Sequence, residues 1–113
     1  MKVLKGKVNC SKATKKEIQN GAVAAISVCD CSRMDVAAIT LGKIEIKDLK
    51  SFPFEYSVEF DESKVNYGFS YGFTVSCRIQ KDGKLLYLND TSHPIIENDR
   101  ILDRVDIDVI CIN

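Results

Sequence analysis

Hydrophobic and polar residues alternate one by one over several stretches of this chain. The most regular stretch covers residues 52–60, and its apolar members are Phe52, Phe54, Tyr56, Val58 and Phe60. A period of two places these side chains on one face of a β-strand, so the stretch predicts a strand with one buried face. Pro53 cannot donate to a ladder and is expected at the strand start or on an edge.

A second alternating stretch, from Tyr71 to Gln80, is followed by Asp82-Gly83 and then by another β-rich run. Asp-Gly between two such runs is the strongest short-range indication of a tight hairpin, because glycine tolerates a positive φ. We therefore predict one long β-hairpin within residues 66–96. The strand at 52–60 is its expected neighbour in the core.

Four further strands are predicted on the same grounds. They cover residues 3–9, 22–31, 36–47 and 105–111, the third with a bulge at Gly42. Thr14 and Glu17 have the spacing of a capping box, but few apolar residues accompany them, so at most one helical turn is expected.

These elements predict a single all-β domain over residues 1–113. Its expected architecture is an antiparallel two-sheet β-sandwich of about seven strands, transthyretin-like or immunoglobulin-like. A small closed barrel is the alternative.

Charge and composition narrow the possible functions. The 113 residues include 16 Lys and Arg and 16 Asp and Glu, so no global field would attract nucleic acid or an anionic membrane. The aromatic residues have no basic patch beside them and do not indicate nucleic-acid binding. No apolar run approaches the ~20 residues of a membrane span, and no secretory signal or lipidation motif is visible. The expected location is the cytoplasm, or a secreted or periplasmic compartment if a leader was removed.

The five cysteines favour free thiols, or a mixture of free and paired ones, because their number is odd. Cys77 and Cys111 fall on apolar strand faces and are expected in the core. Cys29 and Cys31 would share a strand face about 7 Å apart, which suits a disulfide poorly but would allow a shared metal or redox chemistry. The favoured interpretation is instead that both are small packing residues, since no second pair of closely spaced ligands exists.

Catalysis finds little support in the sequence. His93 is the single histidine, and no nucleophile elbow surrounds any serine. His93 precedes Pro94 at the end of a predicted strand and is expected to be a solvated loop residue. We predict no enzymatic activity and no cofactor. Asn9 and Asn89 begin glycosylation triplets, which matter only in a secretory compartment.

Several short motifs follow one another along the chain: Gly21-Ala22-Val23, Asp30-Cys31-Ser32-Arg33-Met34-Asp35, Phe52-Pro53-Phe54-Glu55, Phe60-Asp61, Ser76-Cys77-Arg78-Ile79, Asp82-Gly83-Lys84-Leu85, Asn89-Asp90-Thr91 and Pro94-Ile95-Ile96. This succession resembles bacterial YbaY-like lipoproteins, a family that includes the YscW-type pilotins of type III secretion. The resemblance implies a small β-sandwich with a non-enzymatic role, since pilotins help a secretin reach the outer membrane. It brings no catalytic residues.

The motif residues Asp30, Arg78, Asp90, Thr91 and Pro94 are interpreted as structural. Asp90 and Thr91 would cap a turn with side-chain hydrogen bonds, and Arg78 would reach a carboxylate across a ladder.

The leading hypothesis is a non-catalytic binding or accessory domain. It would present a sheet edge or an aromatic-lined face to a protein partner or to a small apolar ligand. The thiol-based hypothesis at Cys29 and Cys31 is kept as the alternative, and the sequence leaves the oligomeric state open.

Overall fold

The structure is a computed structural model that describes residues 1–32, 37–89 and 91–112, with no side-chain description for residues 69–71. In these residues the chain forms ten β-strands and two short 3₁₀ helices. The strands are β1 (Lys2–Asn9), β2 (Val23–Asp30), β3 (Ile39–Ile46), β4 (Phe54–Phe60), β5 (Phe73–Lys81), β6 (Lys84–Leu88), β7 (Ile96–Glu97), β8 (Arg100–Ile101), β9 (Ile107–Asp108) and β10 (Ile110–Cys111). The 3₁₀ helices are Glu62–Lys64 and Tyr67–Gly72.

The strands form two main sheets and one small hairpin. One sheet has the order β4-β1-β9, the other β10-β6-β5-β2-β3, and β7 pairs with β8. All pairings are antiparallel except that of β1 with β9, which is parallel. The predicted all-β sandwich is therefore confirmed, with one parallel pair that the sequence pattern did not indicate. No helix in the described residues is long and apolar enough to cross a membrane.

The core lies between the two main sheets and is built from the alternating positions. The three-stranded sheet contributes Leu4, Val8, Tyr56, Val58, Phe60 and Ile107, and the five-stranded sheet contributes Ala24, Ile26, Val28, Phe73, Val75, Cys77 and Ile79. The alternation at residues 52–60 thus identified the buried face of β4 correctly, with Phe54 half-buried at its start. Cys77 is buried as expected.

The predicted Asp82-Gly83 hairpin is present as a two-residue turn between Lys81 and Lys84. Asp82 and Gly83 have φ values of 52° and 80°, the positive values that a tight hairpin of this kind requires. The first strand of the hairpin begins at Phe73, however, because residues 67–72 form a 3₁₀ helix. Its second strand ends at Leu88, so the predicted extent of 66–96 was too long.

The segment around Thr14 and Glu17 has no helical turn, which is consistent with the prediction of at most one. It runs beside residues 50–52 instead. The Ile18 N–H donates to the Lys50 carbonyl at 2.9 Å, and the Phe52 N–H donates to the Lys16 carbonyl at 2.7 Å. Too few apolar residues recur at helical spacing here to stabilise a helix, so the backbone pairs across the turn.

The predicted strand at 105–111 is split between the two sheets. β9 pairs with β1, and β10 pairs with β6. Val109 lies between them, is fully buried, and donates its N–H to the Asn9 carbonyl at 2.8 Å. Because the chain passes from one sheet to the other at Val109, buried and exposed residues no longer alternate beyond it. Cys111 is exposed, and its prediction as a core residue was wrong.

Gly42 lies at the bulge that the sequence predicted there. Val28 pairs with Gly42 and Cys29 with Thr40, which leaves Leu41 as the extra residue. A Cβ atom on Gly42 would overlap the carbonyl oxygen of Glu59. The bulge therefore brings the edge of the five-stranded sheet against the edge of the three-stranded sheet.

Candidate functional site

The first candidate site is a groove between the two sheets on their β3 and β4 edges. We call it the inter-sheet groove and define it by Lys5, Ile44, Ile46, Glu55, Tyr56 and Arg104. Its volume is about 610 Å³. The edges touch at Gly42, and the groove opens beside the following residues of β3. Ile44 and Ile46 are half-buried in the isolated chain, so they leave apolar surface on one wall.

The opposite wall depends on an irregular contact between β1 and residues 103–105. The Lys5 N–H donates to the Asp103 carbonyl at 3.1 Å, and the Val105 N–H donates to the Lys5 carbonyl at 2.9 Å. A regular parallel ladder would next join the Lys7 N–H to the Val105 carbonyl. Instead, the Lys7 N–H donates to Asp106 Oδ1 at 2.9 Å.

The Val105 carbonyl is consequently turned inward, where it accepts a hydrogen bond from the Tyr56 hydroxyl. Gly6 allows this arrangement, because a Cβ atom on Gly6 would overlap the same carbonyl oxygen. Burial raises the pKa of Tyr56, so its hydroxyl stays protonated and keeps donating. These contacts fix the base of the inter-sheet groove.

Charged residues surround the groove in an ordered way. On the outer face of β1, Lys7 lies opposite Glu55 of β4, whereas Lys5 lies opposite the uncharged Ser57. Arg104 lies beside Lys5 in the sheet and has an ion pair of 3.2 Å with Asp106. Of the three cations Lys5, Lys7 and Arg104, Lys5 is therefore the one that has neither a carboxylate opposite it on β4 nor an ion pair with Asp106.

A second cavity lies on the outer face of the three-stranded sheet, at the end of β1. We call it the Asn9–His93 cleft and define it by Lys7, Asn9, Pro53, His93, Asp106 and Asp108. Its volume is about 370 Å³. Asn9 Oδ1 and His93 Nε2 are the two buried side-chain polar atoms of the described residues that have no hydrogen-bond partner. The prediction of His93 as a solvated loop residue was therefore wrong for this nitrogen.

Ser11 holds Asp108 in place at the edge of the cleft. Its N–H and its hydroxyl each donate to the carboxylate at 2.8 Å. Partial burial opposes ionisation of Asp108, but the hydrogen bonds from Ser11 outweigh it and lower the pKa of Asp108. The hydroxyl of Ser11 thus bonds to the carboxylate rather than to His93, which is not how a base activates a nucleophile.

Cys29 and Cys31 do not share a strand. β2 ends at Asp30, and Cys31 follows it as an exposed residue whose N–H donates to the Gly72 carbonyl at 2.7 Å. Cys29 is half-buried, with its Sγ 3.5 Å from Ser27 Oγ. The described residues contain no cluster of three or more His, Cys, Asp or Glu side chains that could hold a metal. The thiol-based hypothesis gains no support from this arrangement.

The motif residues predicted to be structural are spread along the five-stranded sheet and its loops. Asp30 Oδ1 accepts hydrogen bonds from the N–H and hydroxyl of Ser32 and so closes the end of β2. Pro94 is exposed and bridges to Thr74. Thr91 is exposed as well, and Asp90 lies outside the described residues.

Arg78 is exposed on the outer face of β5, next to Ala25 of β2, which in turn neighbours Glu45 of β3. No ion pair of Arg78 is found among the described residues, so its expected bond to a carboxylate stays a prediction.

Asn89 has a structural role that the sequence analysis missed. Its Oδ1 accepts from the Cys77 N–H at 2.9 Å, and its Nδ2 donates to the Thr91 carbonyl at 3.0 Å. The side chain thus continues the β5–β6 ladder beyond Leu88. An asparagine just after a strand is the signal that could have indicated it, because such side chains imitate backbone hydrogen bonds.

Comparisons with known proteins agree with the motif-based resemblance. A model of the family described as the type III secretion system lipoprotein chaperone, YscW, matches residues 1–108. No curated protein matches the chain. Among solved structures, the chain is similar to an alternative pilotin from the type II secretion system of Vibrio cholerae, with a TM-score of 0.83 over 99% of this chain and 97% of that one. Because the two sequences are 22% identical, this likeness concerns the fold.

Proposed function

The chain belongs to the YscW family of type III secretion system lipoprotein chaperones, and we propose on that premise that it is a pilotin-type accessory protein that binds a segment of a secretin. The inter-sheet groove is the proposed binding site. The observation that carries this proposal is the half-buried apolar wall of Ile44 and Ile46, which lies open at a sheet edge in a protein of a chaperone family.

The chemistry of the groove specifies the kind of segment that it would accept. Ile44 and Ile46 favour apolar side chains from the partner, because their remaining exposed surface would be removed from water on binding. Lys5 at the rim favours an acidic residue beside those apolar ones, since no carboxylate lies directly opposite it on β4. The proposed ligand is therefore a segment with an apolar face and an acidic flank.

A binding role accords better with the cavities than catalysis does. The inter-sheet groove contains no histidine or cysteine, and in the Asn9–His93 cleft the Ser11 hydroxyl bonds to Asp108 instead of to the imidazole. Neither arrangement brings an activated nucleophile next to a base.

The proposal is tested with peptides that tile the secretin of the same secretion system, labelled for fluorescence anisotropy. We expect one region to bind the wild-type protein and Ile44→Lys to weaken that binding by at least about tenfold, because a charge would replace apolar contact. Ile39→Lys is the matched control, since Ile39 is 42% exposed on the same strand but does not line the groove. It should bind like the wild type.

A second variant measures the contribution of charge to binding separately from that of apolar contact. Lys5→Gln should weaken binding of the same peptide by about threefold to tenfold and reduce its dependence on salt. Failure of every secretin peptide to bind, or equal binding by Ile44→Lys and the wild type, would contradict the proposal. Native mass spectrometry that found a small apolar molecule in the groove would also count against it.

A further inference from the structure

The Asn9–His93 cleft has features that the proposed secretin site does not use. It lies on the outer face of the three-stranded sheet, whereas the inter-sheet groove opens at the β3 and β4 edges. Residues far apart in the sequence form the cleft: β1 supplies Asn9, the segment before β4 supplies Pro53, the segment before β7 supplies His93, and β9 supplies Asp108. Such convergence places several polar groups around one small volume.

The polar groups in this cleft are mostly hydrogen-bond acceptors. Asn9 Oδ1 can only accept, and His93 Nε2 accepts when the ring is neutral with its proton on Nδ1. Both atoms are buried and without a partner in the described residues. Buried polar atoms without a partner are costly, so an occupant that donates to both would be favoured.

The carboxylates beside these atoms add negative charge. Ser11 occupies one position on each oxygen of Asp108, and a carboxylate has about four acceptor positions in all. Asp106 accepts from the Lys7 N–H and has an ion pair with Arg104. The free acceptor positions therefore favour a cation with several N–H donors over an anion.

The rest of the lining is apolar. Pro53 and Ile107 complete it, but Ile107 is 1% exposed and its side chain belongs to the core, so the exposed Pro53 supplies the accessible apolar surface. A planar guanidinium carries five N–H donors in a fixed fork and is more weakly hydrated than an ammonium, so it suits acceptors that are spread around a partly apolar cavity. An aliphatic stem would then contact Pro53.

We propose that the Asn9–His93 cleft is a second binding site, specific for a guanidinium group carried on an aliphatic stem. The head would donate hydrogen bonds to Asp108, and to Asn9 Oδ1 and His93 Nε2 once these two side chains turn towards the cleft. An arginine side chain of a protein partner and a free guanidino compound share this chemistry.

The direct test is an NMR titration of the isotopically labelled protein with three probes at neutral pH. Ethylguanidinium represents the head and a short stem, N-acetyl-arginine amide represents arginine within a polypeptide, and N-acetyl-citrulline amide is its uncharged counterpart. We expect saturable shifts of the Asn9 side-chain amide and of the His93 ring with the first two probes. The citrulline probe should bind at least about tenfold more weakly, because the carboxylates contact a charged donor strongly. Tighter binding of the arginine amide than of ethylguanidinium would point to a protein partner, and the reverse to a free compound.

Substitutions of Lys7 and Asn9 test whether the cleft prefers a positively charged ligand. Lys7→Met should tighten the binding of ethylguanidinium by about threefold, because it removes a competing cation from the lining. Asn9→Leu should weaken it by at least about tenfold. Lys43→Met, on the outer face of the other sheet, is the control and should change nothing.

Three results would overturn the proposal. The first is the lack of a saturable shift with either guanidinium probe, which would mean that water alone contacts the two buried atoms. The second is binding of inorganic phosphate that Lys7→Met abolishes, which would make the cleft an anion site. The third is equal binding of the arginine and citrulline probes. Because Lys7 is exposed, its variant keeps the test valid even if Asn9→Leu fails to fold.

Discussion

Tyr56 connects the three-stranded sheet to the turned carbonyl of Val105, and the contact depends on its hydroxyl as well as on its ring. Tyr56 is 4% exposed and belongs to the core. The hydroxyl donates to the Val105 carbonyl. In a regular ladder that carbonyl would accept from the Lys7 N–H, which donates to Asp106 instead. A phenylalanine would fill the same volume but would leave that carbonyl without its partner.

Tyr56→Phe should therefore lower the free energy of unfolding by about 1–2 kcal/mol, the usual cost of removing one partner from a partly buried hydrogen bond. Urea denaturation followed by circular dichroism would measure the change. Tyr67→Phe is the control, because Tyr67 is 44% exposed, and its effect should stay within about 0.5 kcal/mol. Equal stability of Tyr56→Phe and the wild type would show that the Val105 carbonyl is satisfied in another way.

Cys77 differs from the exposed cysteines in its reactivity. Burial raises the pKa of Cys77 to about 12 from an ordinary value of 9.0, so at pH 8 only about one molecule in 10⁴ carries the thiolate in the folded state. Iodoacetamide at pH 8 should label Cys31 and Cys111 rapidly and Cys77 only after denaturation, as measured by peptide mass spectrometry.

The same shift has a consequence for stability at high pH. The folded pKa of Cys77 is raised, so its contribution to stability is complete below about pH 9 and decreases as the pH rises towards 12. Rapid labelling of Cys77 in the native protein would contradict both statements.

At the scale of elements, the hairpin of β7 and β8 is the part that the sequence analysis missed. Glu97 pairs with Arg100, and between them Asn98 and Asp99 have φ values of 53° and 60°. The sequence does contain a signal, because Asn and Asp tolerate this left-handed region better than other non-glycine residues. The strands, however, have only two residues each, too short for alternation to be visible.

Asp99 offers a direct test of this turn. Asp99→Val should lower stability by about 1–2 kcal/mol, because a β-branched residue fits a positive φ poorly, and Asp99→Gly should be at least as stable as the wild type. Thermal denaturation would measure both variants. Glu97→Val serves as the control, since Glu97 is also exposed but lies in the strand. An unchanged melting temperature for Asp99→Val would contradict the predicted cost of a β-branched residue at this positive φ.

Other elements could be predicted where neighbouring residues in the sequence determine them. Alternation identified β4 from Tyr56 and Val58, and Asp82-Gly83 identified the β5–β6 turn. Neither pattern contains information about distant pairing. The parallel contact of β9 with β1 joins residues 99 positions apart in the chain. It is determined by packing across the whole molecule, as is the exposure of Cys111.

The candidate sites were less predictable than the fold for the same reason. Ile44 and Tyr56 lie on different sheets and come together where β3 and β4 pack against each other, close to Gly42 and Glu59. Asn9 and His93 are 84 positions apart and share a cleft because two loops and two strands converge there. Asp30, one of the motif residues, instead closes a strand end, which is a local role that a short motif can indicate.

At the scale of the whole molecule, the C-terminal segment joins both sheets. The Val109 N–H bonds to the Asn9 carbonyl of the three-stranded sheet, and the Ile112 N–H bonds to the Leu86 carbonyl of the five-stranded one at 2.9 Å. Val109 itself is fully buried between them. A few residues thus connect the two halves of the core.

A chain that ends at Asp108 should lose about 3–5 kcal/mol of stability, since it lacks buried Val109 and the pairing of β10. That is a large part of the 5–15 kcal/mol typical of a domain, so partial unfolding at 37 °C is expected. Chemical denaturation measures the loss. Removal of Asn113 alone is the control, and a truncated protein as stable as this control would contradict the prediction.

The position of this connecting segment also affects how the protein is made. Chain synthesis proceeds from the N-terminus at about 5–20 residues per second. β1 therefore leaves the ribosome long before β9, its parallel partner. Until residues 107–112 emerge, one edge of β1 and one edge of β6 have no partner strand, and the nascent chain exposes two open edges that invite pairing with other chains. Protection by cellular chaperones during synthesis is consequently most important in the last moments of translation.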